Sequence, residues 1–247
     1  MSVHHYIQQT LQKQKALLAV LIDPGKTATD ALTALARSAE ESGIDLFLVG
    51  GSLLSADLME STIRTLKAAG PVPVVIFPGG VQQLSASADA LLFLSLISGR
   101  NPDYLIGQHI ISAPLIRHMN LEAIATAYML IESGHTTSVE FISGTKPIPA
   151  HKDDIAVAHA LAAEYLGFKM IYLEAGSGAQ NSVPVSMIRA IKHHVSVPLI
   201  VGGGLRTPQA VHERVEAGAD IIVIGTHFEN TDHALIKDFS HYTRGPR

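Results

Sequence analysis

The sequence predicts an α/β fold of the TIM (β/α)8 barrel type, and three observations predict it. Short, uniformly apolar runs of strand length alternate with helical segments, the mark of strands covered on both faces in a parallel sheet. Eight such units fit in 247 residues with no linker or shift of composition between them, the size of one barrel domain. Strands seven and eight end in glycine-rich turns that each feed a helix, the usual phosphate position of that architecture. A doubly wound open sheet shares the alternation and is the runner-up. The strand count and the last two strand ends favour the barrel.

Residues 1–14 (MSVHHYIQQTLQKQ) read as a leading helix, and residues 16–22 (ALLAVLI) as strand one, stopped by Asp23-Pro24-Gly25. Residues 27–42 space Ala and Leu three and four apart and close on Gly43, a helix with a glycine cap. Residues 45–49 form strand two, ending in Gly50-Gly51-Ser52, and residues 55–69 a helix closed by Gly70. Residues 72–77 form strand three, ending in Pro78-Gly79-Gly80. The unit after it, 81–88, has room for barely two turns. Residues 90–95 are strand four, followed by the polar Ser98-Gly99-Arg100-Asn101-Pro102. Residues 104–119 suit a helix interrupted near Pro114. Residues 126–132 (TAYMLIE) suit either a continuing helix or strand five. They are read as the strand, because Ser133-Gly134 ends them and a definite helix, 155–166, lies ahead behind the acidic Asp153-Asp154. Residues 138–142 are read as a small extra strand. Residues 169–174 are strand six, 185–194 a helix, and 198–201 strand seven. Thr207-Pro208 opens the next helix as N-cap and first residue, and Gly218 closes it. Residues 220–224 are strand eight and 232–242 the last helix.

Composition narrows the function. The chain is 47% hydrophobic and 16% charged, enough to bury a large core. A net charge of −4 without a basic block argues against a general nucleic-acid surface. The absence of cysteine excludes disulfides and thiolate chemistry and suits a reducing cytoplasm. Residues 1–15 lack the apolar core of a signal peptide. No uncharged apolar run approaches the ~20 residues that span a bilayer, so a soluble, cytoplasmic protein with no transmembrane segment is expected.

In a barrel the C-terminal strand ends share one mouth. Here they bring Asp23, Ser52, Gly79-Gly80, Asn101, Glu174, Ser177, Gly203-Gly204 and Gly225-Thr226. Glycine turns on the last three strands offer backbone N–H groups to an anion. Asp23, with Lys26 close behind, stands opposite. Mg2+ takes one or two protein carboxylates and completes its shell with phosphate and water; Asp23 suits that role and Ser52 adds a hydroxyl oxygen. The pattern suggests a monophosphate on one side and a metal-bound anion on the other. Each assignment has a plainer rival. Asp23 also suits a turn start, Glu174 a loop cap, and the glycines tight turns. Lys26 and Arg100 are either solvated or anion contacts. The thirteen histidines show no metal-ligand spacing, and His193-His194 suits the dipole of a helix end.

At these residues the chain resembles the geranylgeranylglyceryl phosphate synthase family, including the bacterial heptaprenylglyceryl phosphate synthases, over nearly its whole length. The carriers are LIDPGK (21–26), VGGS (49–52), FPGG (77–80), SGRNP (98–102), TAYMLIESG (126–134), YLEAGSG (172–178), VGGGLR (201–206) and IGT (224–226). The longer TAYMLIE form resembles the second of the family's two groups. The resemblance implies a modified TIM barrel in which an irregular segment replaces the helix after strand three, the unit found too short above. It implies transfer of a polyprenyl group from its diphosphate to the 3-hydroxyl of sn-glycerol 1-phosphate, with release of pyrophosphate and formation of an ether-lipid precursor. Asp23 and Ser52 match its magnesium site, with Lys26 beside the diphosphate. Tyr172, Leu173, Glu174, Ala175, Gly176, Ser177, Gly178, Gly203, Gly204, Gly225 and Thr226 match its glycerol-phosphate site. Gly25 departs from relatives with an acidic or amide residue there, and Thr226 from those with Asn. Glu174 is then expected to take the proton of the attacking hydroxyl, and Tyr172 to position glycerol or steady positive charge with its ring. Tyr104 and Tyr128 are candidate walls of a prenyl groove. A homo-oligomer, hexamer or dimer, and transient membrane contact for the lipid product are also implied. Two rival classes stand beside this: a metal-independent isomerase or synthase on a phosphorylated sugar, and a non-catalytic phosphate-ligand barrel.

Overall fold

The computed structural model describes residues 1–24, 26–51, 56–225 and 233–245. After a first helix, α1 (Val3–Leu11), the chain runs β1 (Leu17–Ile22), α2 (Thr29–Ser42), β2 (Leu46–Val49), α3 (Ala56–Ala69) and β3 (Val74–Ile76). It continues as β4 (Ala90–Leu96), α4 (Gln108–His118), β5 (Glu122–Leu130), α5 (Ser138–Ser143) and α6 (Asp153–Tyr165). It ends with β6 (Met170–Glu174), α7 (Val185–His194), β7 (Leu199–Gly202), α8 (Pro208–Glu216), β8 (Ile221–Ile224) and α9 (His233–Thr243). Each strand pairs in parallel with its successor, and β1 on β8 closes the ring, with Leu17 opposite Ile221 and Val20 opposite Ile224.

The uniform apolarity of the strands has its cause in two separate buried layers. Alternate side chains point into the barrel (Leu46, Leu48, Val75, Leu92, Tyr172, Ile200) or out under the helices (Phe47, Val49, Val74, Ile171, Leu173, Val201). Val3, Ile7 and Leu11 of α1 belong to the inner layer, so this helix plugs the end of the barrel at which the strands start. The Glu122 carboxylate accepts from Val3 N at 2.6 Å and His4 N at 3.0 Å, a negative charge at the helix N-terminus.

The same floor is tied by three aspartates, each directly before an even strand. Asp45 accepts from Leu18 N at 2.8 Å, Asp89 from Val74 N at 2.9 Å and Asp220 from Leu199 N at 2.7 Å. Each reaches the preceding odd strand and is paired with a cation: Arg244 on Asp45, Lys67 on Asp89 and Lys192 on Asp220.

Three expectations need correction. Residues 138–142 are not a strand but part of α5. Thr137 Oγ1 caps it by accepting from Glu140 N, and Gly144 at φ 62 ends it. Pro114 does not interrupt the helix: it lies inside α4, and the residue whose carbonyl loses its donor, Ile110, is 68% exposed on the solvent side. A wide π turn, Asp103–Gly107, leads into that helix. β5 begins at Glu122 rather than residue 126, since Asn120 at φ 52 turns the chain straight from α4 into a seven-pair ladder with β4. The segment after β3 is irregular, with a single 3-10 turn at Val81–Gln83, as the short unit predicted. Among the described residues no helix is long and apolar enough to cross a membrane.

Candidate active site

The strand ends opposite α1 open onto one cavity of about 900 Å3. Asp23 and Lys26 line it after β1, Phe77 to Gly80 after β3, and Tyr104 before α4. Tyr128 reaches it from β5, Tyr172, Glu174, Gly176, Ser177 and Gly178 from β6, Gly203 and Gly204 from β7, and Gly225 from β8. Most of the sequence motifs thus meet around a single space, with Asp23 and Glu174 facing it together, but Asn101 does not line it and instead donates from Nδ2 to Ser143 O at 3.0 Å. Leu173 and Ala175 add no side chain to it. With Tyr172 and Glu174 turned inward, the alternation of the strand sends those two outward under the helices. Ser52, Thr226 and Gly25 lie outside the described residues.

Glu174 ends β6 and is 6% exposed. Its Oε1 accepts from Gly176 N at 2.6 Å. Burial pushes its pKa above the usual carboxylate value, against the pull of that N–H and of the neighbouring Tyr172 hydroxyl. Tyr172 is itself wholly buried, and burial followed by the Glu174 charge raises its pKa well above that of free tyrosine. Its hydroxyl sits beside Glu174 but has no partner of good hydrogen-bond geometry among the described residues. Gly202 makes that proximity possible: a Cβ there would stand 2.5 Å from the Tyr172 hydroxyl and 3.1 Å from Glu174 Oε2. Phe77 stacks on Tyr172 with ring centroids 5.3 Å apart, and Tyr128 meets Tyr172 edge-on at 5.3 Å. An aromatic floor therefore underlies the carboxylate.

The late-strand turns approach each other closely. Gly203 has φ 86, and a Cβ on it would stand 2.6 Å from Glu174 Oε1 and 2.7 Å from Gly176 N. Only glycine fits there on both counts. Gly225 differs, because among the described residues a Cβ on it would meet nothing within 4 Å. It lines the cavity from the end of β8.

On the other side the cavity extends along β4. Among the described residues no α-helix lies between β3 and β4, which leaves the outward Phe93 half-buried, while the inward Leu94 is half-buried because it faces the cavity. Leu84, Tyr104, Val139 and Ile142 complete an apolar arm. His109 stands edge-on to Phe93 at 4.5 Å, and burial lowers its pKa.

A magnesium site on Asp23 is consistent with this donor set. Its carboxylate is 21% exposed, opens onto the cavity and is held by Lys26. Among the described residues no three His, Cys, Asp or Glu side chains converge, so a cation here would complete its shell from ligand oxygens and water, as Mg2+ does. Arg100 is turned back on its own loop, donating to Gly99 O at 2.7 Å, and does not line the cavity. His193 and His194 meet edge-on at the end of α7, with ring centroids 5.1 Å apart, and among the described residues neither joins a cluster of metal-binding side chains.

Sequence reasoning assigned no role to Phe77, His109 or Arg206. The first two gain theirs from contacts across distant elements, which local pattern does not reveal. The glycine-rich VGGGLR run was the one signal near Arg206.

The PcrB family model matches residues 9–243. The geranylgeranylglyceryl phosphate synthase of Flavobacterium johnsoniae is 46% identical over 232 residues, covering 94% of this chain and 96% of its own. That of Korarchaeum cryptofilum is 44% identical over 230 residues, covering 93% and 94%. The crystal structure of (S)-3-O-geranylgeranylglyceryl phosphate synthase from Thermoplasma acidophilum, in complex with its substrate sn-glycerol-1-phosphate, superposes with a TM-score of 0.91. It is 33% identical, with 99% of each chain covered.

Proposed function

This chain belongs to the PcrB family, and from that premise we propose that it transfers a geranylgeranyl or other long polyprenyl group from its diphosphate to the 3-hydroxyl of sn-glycerol 1-phosphate, with Mg2+. One observation supports the reading above the rest. Asp23 and Glu174 face a single cavity that has glycine turns on one side and an apolar arm on the other. That matches an acceptor with a phosphate and a donor with a diphosphate head and a hydrocarbon tail.

The residues divide the work. The turns at Gly176 to Gly178, Gly203-Gly204 and Gly225 offer backbone N–H groups and room to the acceptor's phosphate. Asp23, with Ser52, would hold Mg2+, which when bound supplies positive charge to the departing diphosphate. The apolar arm takes the tail, each buried methylene contributing about 0.8 kcal/mol. Glu174 Oε1 is held by Gly176 N–H, which steers the carboxylate beside the acceptor's free hydroxyl. As the allylic C1–O bond to diphosphate breaks and the ether bond forms, the hydroxyl proton passes to Glu174. The Phe77, Tyr128 and Tyr172 rings exclude water beneath C1 and turn π-electron density toward its developing charge. Fixing donor and acceptor in line is an orientation effect worth several kcal/mol.

The test combines purified protein, Mg2+, sn-glycerol 1-phosphate and a radiolabelled series of polyprenyl diphosphates of increasing length. A labelled, phosphatase-sensitive ether product is expected. No product at any length refutes the proposal, and undiminished turnover in excess chelator refutes its metal requirement.

A further inference from the structure

The phosphate-facing turns belong to two different loops, and their mutual position needs a fastening. Gly204 stands so near the β6 loop that a Cβ on it would come within 3.1 Å of Ser182 N. Arg214 of α8 donates to Ser182 Oγ at 2.6 Å and holds the far end of that loop. Its near end is held by Arg206, just past the β7 turn. Arg206 Nη2 donates to Ala179 O at 2.8 Å and reaches Gly178 O at 3.5 Å. One guanidinium nitrogen thus holds the Ala179 carbonyl by a charge-assisted bond, with the Gly178 carbonyl at the limit of its reach. Arg206 also lines the cavity. Among the described residues no carboxylate forms an ion pair with it.

We propose that Arg206 is the positioning residue for the phosphate end of the acceptor: it locks the β6 turn against the β7 turn and adds the positive charge that their N–H groups alone lack. The inference rests on the functional reading above for the identity of the acceptor, and its test is independent of turnover.

Calorimetric titration with sn-glycerol 1-phosphate compares the wild type with R206K and R206Q, and thermal unfolding checks the fold. Charge-assisted hydrogen bonds of this kind predict a loss of affinity of about tenfold to hundredfold in R206Q. R206K should recover only part of it, because the shorter lysine side chain carries its charge on a compact, strongly hydrated ammonium that does not reproduce the reach of Nη2 to Ala179 O. In steady state the KM for glycerol phosphate should rise in parallel, while kcat and the KM for the prenyl diphosphate stay within about twofold. A purely structural role would move both KM values together, and that result overturns the proposal. Unchanged affinity in R206Q overturns it as well, as does absence of binding by the wild type. Should R206Q fail to fold, R206K decides alone, and wild-type affinity in it removes the locking role. Arginine-dependent binding without prenyl transfer would sink the transferase reading and leave this one standing.

Discussion

Replacing Glu174 by Gln separates what this carboxylate holds from what it transfers. The Gln side-chain oxygen can keep the 2.6 Å bond from Gly176 N, and its amide then lies toward the Tyr172 hydroxyl, which can accept. The turn and the glycerol-phosphate affinity should therefore persist. What disappears is the proton acceptor, and loss of a positioned general base costs about 10²- to 10⁴-fold in rate, roughly 3–5 kcal/mol of barrier. The whole loss should fall on kcat. Burial holds the Glu174 pKa above 4.5, so wild-type activity should decline on acidification at a pH above the ordinary carboxylate range, and the variant should lack that limb. Stability has the opposite sense. A folded-state pKa raised above the unfolded value stabilises most below the unfolded value, and that contribution is lost as pH rises through the folded one. At neutral pH Glu174 is thus a liability to the fold, and Glu174→Gln should unfold at the same or a higher temperature. Stopped-flow or radiolabel kinetics across pH, with calorimetric unfolding, decide the case. A kcat within about twofold of wild type, or an acid limb that survives the substitution, refutes the reasoning.

Other perturbations probe the remaining parts. Gly203→Ala places a Cβ 2.6 Å from Glu174 Oε1 at φ 86; a stability loss of about 1–3 kcal/mol and a collapse of turnover are expected by denaturant titration and assay. Asp23→Asn should raise the Mg2+ needed for half-maximal rate by about tenfold or more while leaving glycerol-phosphate binding alone, and titration of activity against Mg2+ checks this. Asp220→Ala strips Lys192 and Leu199 N of their acceptor. It should cost about 2–4 kcal/mol in unfolding experiments and leave both KM values as they were, since the residue lies at the barrel floor.

Local pattern revealed the strands well, because burial on both faces makes each an unbroken apolar run. It also revealed the glycine turns and the two carboxylates at the mouth. Its failures have physical causes. Ser138 to Ile142 alternates like a strand, yet Thr137 and Gly144 cap it as a helix of a single turn and a half, too short for a helical period to show. Local pattern gives residues 122–125 no assignment, because what makes them strand is pairing with β4. Pro114 reads as a breaker only while its neighbour's exposure is unknown. The aromatic floor joins Phe77 from just after β3 with Tyr128 of β5 and Tyr172 of β6, a contact that exists only once the ring closes. The motif match draws Leu173 and Ala175 into the site along with Tyr172 and Glu174, although period-two alternation turns their side chains away from the cavity and under the helices.

The aspartate seams of Asp45, Asp89 and Asp220 lie at the opposite end of the strands from the groups proposed to meet substrate. Fastening and chemistry thus draw on different parts of the chain. A rim loop can be lengthened, trimmed or swapped without loosening the foundation, so selection is free to explore new donors by editing the rim. A broken seam, by contrast, would handicap every such variant alike.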